Sequence, residues 1–149
     1  MELPLFEQVA DLIRALTPEE LGELHVRAHR RGVKGWFDQA TVPKEHYEAQ
    51  MLARRHIDGR DGMAVEVGFH SEHPKRADNE ATLAHVLEHE QSWRDTLGEE
   101  AVAGVFLGAE NWTRVSETWI EPDLEDPELA FELASRTVDY LTSIEPARR

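Results

Sequence analysis

The chain has no cysteine. A disulfide framework, thiolate metal sites and cysteine nucleophiles are therefore excluded, and a reducing compartment fits. No apolar run approaches the ~20 residues that span a bilayer, and the start, Met1 to Glu7, lacks a basic segment followed by an apolar core. The expectation is a cytoplasmic protein with no membrane segment. There is no glycine-rich phosphate loop, no GxSxG, and no basic and aromatic interleaving that would grip single strands.

Positive charge is also scarce, with 16 Lys and Arg against 30 Asp and Glu, a net charge of -14. The imbalance is uneven. Residues 1 to 76 carry 11 basic against 13 acidic side chains, and residues 77 to 149 carry 5 against 17. A field of that sign repels phosphate backbones, so nucleic acid is not expected as a partner. A protein with a basic surface or a small molecule is expected instead, and a homodimer is left open. The basic residues cluster as Arg27, Arg30, Arg31 and Lys34, then Arg54, Arg55 and Arg60, then Lys75 and Arg76, and read as solvated surface charge.

The 149 residues match one domain, which buries roughly two thirds of its unfolded surface, so no metal is required for folding. Leu5, Phe6, Val9, Leu12, Ile13 and Leu16 recur at helical spacing. Thr17-Pro18-Glu19-Glu20 has the form of a capping box that starts a second helix, with Leu21, Leu24 and Ala28 inward and Gly32 at its end. Residues 46 to 54 alternate as a strand, and Ala64 to Phe69 alternate more clearly. The Asp58-Gly59 and Asp61-Gly62 turn signals between them complete a hairpin.

Asp78 caps a helix predicted over residues 78 to 97, with Leu83, Val86, Leu87, Trp93 and Leu97 inward and Gly98 at its end. Val102 to Leu107 and Thr113 to Ile120 form a second hairpin. A final helix starts at Asp126-Pro127 and is closed by Pro146. The expected fold class is α+β in a single domain, 1 to 149. A helical pair over 1 to 32 precedes a ββα-ββα core over 46 to 144, whose four-stranded antiparallel sheet has helices packed on one face.

The run Val65-Glu66-Val67-Gly68-Phe69, the Asn79-Glu80 helix start, Trp93 to Gly98, Trp112 and the closing helix resemble an uncharacterised bacterial family. That family is a domain of unknown function found alone or beside nucleases of the PD-(D/E)xK type. The likeness covers about residues 46 to 144 and implies an α+β fold and no activity.

Three groups of residues could carry chemistry. His85-Val86-Leu87-Glu88-His89 spells HxxEH, in which two imidazoles at i and i+4 on a helix share a metal and the glutamate activates water. No third ligand on a distant helix is evident, and two partly exposed imidazoles are the plainer interpretation. His25 and His29 repeat the spacing on the second helix, among arginines that disfavour a cation.

The third group is the polar face of the first hairpin, where His46, Glu48 and Gln50 share a side with Glu66, His70 and Glu72, and His73 lies at the edge. With a turn centred near Gly59, Glu48 would face His70 and His46 would face Glu72. Such a mixture of imidazoles and carboxylates binds a divalent metal or performs acid and base chemistry. A solvated outer sheet face is the plainer alternative. The function expected is a non-enzymatic binding or accessory domain; the alternative is a metal-dependent hydrolase using His46, Glu48, His70 and Glu72.

Overall fold

A computed structural model describes residues 4–38 and 43–149. Met1 to Leu3, the first part of the start expected to lack a leader pattern, lie outside the described residues. In chain order the elements are α1 (Leu5–Leu16), a 3-10 turn (Glu19–Leu21), β1 (His25–His29), β2 (Gly32–Trp36), β3 (Glu45–Ala53) and β4 (Met63–Ser71). They continue with α2 (Arg76–Leu87), α3 (Glu90–Leu97), β5 (Val102–Phe106), β6 (Ala109–Ile120) and α4 (Leu129–Arg148). The six strands form one antiparallel sheet in the order β1-β2-β3-β4-β6-β5. None of the described helices is long and apolar enough to cross a membrane.

The helical pair and the four-stranded sheet expected from sequence are thus replaced by one N-terminal helix and six strands. In place of the second helix stand β1 and β2. Period 2 wins there, because Val26, Ala28 and Val33 turn to the core while His25, Arg27, Lys34 and Trp36 turn the other way. Gly32 and Gly35 weaken a helix at that point, and Gly32 lets the chain pass β3 closely, since a Cβ there would stand 2.6 Å from the Ala49 carbonyl oxygen. Thr17 caps the end of α1 rather than the start of a new helix: its hydroxyl and its N–H both donate to the Ile13 carbonyl, at 2.7 and 3.0 Å.

The helix expected over 78 to 97 starts at Arg76, without a side-chain cap from Asp78, and breaks at Glu88 and His89. The break changes what is buried. Val86, Trp93 and Leu97 are enclosed, while Leu83 and Leu87 only lean on the core. Helix α4 runs on through Pro146 instead of stopping there. Its last turn is held by Glu145, a buried carboxylate that accepts from Tyr47, Arg148 and Arg149.

One core joins all four helices to the sheet, with Val9 and Ile13 of α1, Leu133 and Leu141 of α4, and Tyr47, Val65, Val67, Phe69 and Val115 of the strands. Apolar burial on this face supplies the main driving force. The connection from β3 to β4 places His46 opposite His70 and Glu48 opposite Gly68, two residues from the register expected. Its midpoint falls at residue 58, one position before Gly59, and a 3-10 turn over Arg54–His56 follows β3 directly. A slip of two leaves every side chain on its expected face.

Candidate metal centre

Along β3 and β4, even-numbered residues face away from the helices, so His46, Glu48 and Gln50 share that side with Glu66, Gly68 and His70. This face is not solvated, contrary to the plainer expectation. His46, His70 and Glu66 are 0 % exposed and Glu48 is 4 % exposed. The cover comes from the β5–β6 end of the sheet, where Phe106 sets its ring edge-on against His70 at 4.6 Å between centroids and Trp112 packs on Phe106. Gly68 brings β6 close, since a Cβ there would meet the Val115 carbonyl oxygen at 2.3 Å and Ser116 Cα at 2.5 Å.

Just beyond β4, Glu72 is held by its N–H, which donates to the Lys44 carbonyl at 2.7 Å, and by buried Asn79. The Asn79 amide accepts from Ser71 Oγ and His73 N–H and donates to the carbonyls of His73 and Asn111. Four bonds from one side chain thereby fix residues 71–73. Glu72 is turned into the cluster as a consequence.

His46 Nε2, His70 Nδ1, Glu48 Oε1 and Glu72 Oε2 converge, all within 4.8 Å of one another. His46 Nε2 lies 3.1 Å from Glu48 and 3.3 Å from Glu72, and His70 Nδ1 lies 3.3 Å from each. Four ligands bound to zinc at 2.0–2.2 Å in a tetrahedron would stand about 3.4 Å apart. The four imidazole–carboxylate separations are close to that value, and the remaining pairs lie within 4.8 Å. His70 Nδ1, although fully buried, has no partner in hydrogen-bond geometry.

The far nitrogens of the two rings are directed differently. His46 Nδ1 faces the Pro43 carbonyl at 3.3 Å, and His70 Nε2 faces Glu66 Oε2 at 2.6 Å. Both partners can only accept, so each far nitrogen carries a proton, which leaves His46 Nε2 and His70 Nδ1 as the atoms that would bind an ion in the cluster. Carbonyl or carboxylate partners of this kind orient metal-bound histidines. Glu66 is itself held by Gln50 Nε2 at 3.0 Å.

Without an ion the site is dominated by carboxylates. Burial pushes Glu48 and Glu72 up, but the two imidazoles outweigh it, holding Glu48 far below the usual carboxylate range and Glu72 at about 2. Burial likewise opposes charge on His70, and Glu66, Glu48 and Glu72 overcome it and raise the imidazole well above its ordinary value. Arg114, whose guanidinium donates to Ser116 and the Val105 carbonyl, is directly opposite His70 on β6. Were both imidazoles neutral ligands of an ion, three carboxylates and one guanidinium would leave two negative charges for a divalent cation to balance.

The other expected ligands are elsewhere. His25 and His29 lie on β1, where a spacing of four residues separates them by about 13 Å instead of one helical turn. They do not form a pair. His29 does reach the cluster from the sheet edge, with Nε2 3.5 Å from Glu48 Oε2 and its side chain 43 % exposed. His85 and His89 straddle the break between α2 and α3, with ring centroids 6.4 Å apart, and Glu88 is largely exposed. Among the described residues no third ligand converges on them. His73 turns to Glu45 at 2.7 Å, away from the cluster.

Asn79 and Arg114 were not singled out as site residues from sequence. Arg114 had an available signal in its even position on a strand beside β4.

The chain matches no protein-family model, and comparisons with curated proteins and with solved structures find no match either.

Proposed function

We propose that this protein is a metal-centred binding domain in which His46, Glu48, His70 and Glu72 hold one divalent ion, zinc by preference. The observation that carries the reading is the convergence of four ligand atoms, among them the unpartnered Nδ1 of buried His70. A two-nitrogen, two-oxygen donor set suits zinc, and manganese is the next candidate by ligand type. The ion would replace the proton that His70 otherwise keeps and balance the buried carboxylates.

Burial of the ligands favours a binding role over turnover, because closed four-ligand sites are typically structural whereas catalytic zinc keeps a position open to water. Elemental analysis of tag-free protein, after zinc loading and dialysis, should return one zinc per chain. That zinc should be lost in His70→Ala and in Glu48→Gln. If these variants are unfolded by circular dichroism, zinc should still raise the wild-type melting temperature. No zinc uptake and no thermal shift would end the proposal.

A metal-dependent hydrolase on the same residues is the second reading. It is favoured by half-exposed His29, which stands beside Glu48 where water could approach the ion. Turnover of an activated ester by zinc-loaded protein, abolished in His70→Ala, would decide for it.

A further inference from the structure

The β1–β2 hairpin at the sheet edge is basic in a chain that is otherwise acidic. Residues 24–37 contain Arg27, Arg30, Arg31 and Lys34 and no Asp or Glu. Arg27 and Lys34 are directly opposite each other on the face that carries the metal centre. Like charges in that position repel and cost stability.

Nothing in the fold relieves the repulsion, since among the described residues neither side chain has a carboxylate within ion-pair distance. Lys34 lies opposite Glu48 in register, yet the Glu48 oxygens are taken by His29, His46 and His70. The Arg27 guanidinium sits over Trp36, 5.2 Å from the ring centroid, with His25 stacked on the same indole. Trp36 thus fixes the height of the guanidinium above the sheet.

We propose that Arg27 and Lys34 seat a phosphate monoester dianion beside the metal centre, at the edge where His29 stands. The inference rests on the metal reading for the ion's share of the binding. Neighbouring strands lie about 4.8 Å apart, so Lys34 is one strand and Arg27 two strands from Glu48. An anion held between the two cations would lie beside the ion, whose positive charge adds to theirs. Two cations match a dianion, whereas a carboxylate would leave one unmet, and the net charge of -14 disfavours a long polyanion.

Calorimetric titration with phenyl phosphate tests this on zinc-loaded and metal-free protein, using wild type, Lys34→Ala and Arg27→Ala/Lys34→Ala. Arg27 is on the edge strand and Lys34 on the strand beside it, and circular dichroism checks that the variants fold. Binding to the zinc-loaded protein should weaken at least about tenfold in Lys34→Ala, the loss expected for one charge-assisted hydrogen bond, and further in the double variant. Zinc affinity should stay within a few-fold of wild type.

Wild-type zinc affinity without phenyl phosphate binding, or with binding unchanged in the double variant, would overturn this inference and leave the metal reading standing. Acetate bound as tightly as phenyl phosphate would overturn the assignment to a dianion. If zinc does not bind, the metal reading fails on its own; phenyl phosphate binding to metal-free protein that the double variant abolishes would still support the seat, and its absence would refute it.

Discussion

Glu66→Gln is the sharpest probe of the metal centre, because Glu66 touches His70 and no ligand atom of the proposed ion. Its Oε2 is 2.6 Å from His70 Nε2, on the far side of the ring from the cluster. Across the imidazole, an ion bound to Nδ1 would stand roughly 6.5 Å from that carboxylate, allowing a metal–nitrogen bond of about 2 Å. Exchanging the His70 proton for a divalent ion adds one net charge. At an effective dielectric near 20, removing the Glu66 charge then costs about 2.5 kcal/mol, or roughly 70-fold in affinity. That figure falls in the 10–100-fold range typical of groups that orient metal ligands.

The amide that Glu66→Gln introduces can still accept from Nε2–H once Gln50 turns its own amide, so the ring stays oriented and the fold is retained. The assay is competition for zinc against a chromophoric chelator at pH 7.5, with circular dichroism as the fold control. Wild-type affinity in a folded Glu66→Gln protein would refute the assignment of His70 as a ligand. So would equal losses in Glu66→Gln and in an exposed control such as Glu80→Gln.

Two further predictions concern the frame around the centre. Gly68→Ala should destabilise the fold by about 3 kcal/mol in urea unfolding, the upper end of overpacking costs, because its Cβ meets β6 backbone that cannot yield without parting two strands; a loss below ~1 kcal/mol would mean that β4 and β6 are not in close approach. Tyr140 is buried and donates to Glu117 at 2.8 Å, and burial together with that carboxylate raises its pKa. Because the folded value exceeds the unfolded value near 10, its contribution is complete below about pH 10 and is lost as pH rises toward the folded value, at up to ~1.4 kcal/mol per pH unit. Urea titrations from pH 8 to 11 should show that slope reduced in Tyr140→Phe, and an unchanged slope would count against the assignment.

What was legible in the sequence follows from which properties depend only on parity. His46, Glu48, His70 and Glu72 share a face in any register that differs by two, so their grouping could be read although the pairing was two residues out. Residues 21–36 were not legible, because Leu21, Leu24 and Ala28 fall at helical spacing and Thr17 with Glu20 imitates a capping box. Tertiary pairing with β3 overrides that local signal. Burial of the polar face could not be read from either strand. It depends on Phe106 and Trp112, more than thirty residues downstream, folding over His70. His29 was noticed as an imidazole but assigned to a helix, which hid its approach to Glu48.

Among the described residues, two pairs of shielded carboxylates differ in a way that separates architecture from site. On the helix side, Glu117 accepts from Trp119, Arg136 and Tyr140, and Glu145 from Tyr47, Arg148 and Arg149. Every one of those partners is a fixed donor at neutral pH, so both networks are satisfied by the fold alone. Glu48 and Glu72 have no such partners among the described residues: their near neighbours are imidazoles, whose charge must come from a proton. Burying carboxylates costs several kcal/mol apiece unless a matched positive charge is present. Apolar residues on this face would pack beneath Phe106 and Trp112 without that cost, so a stability requirement does not account for the cluster. A bound cation would, because it would supply a matched charge and take the place of the proton that His70 otherwise keeps.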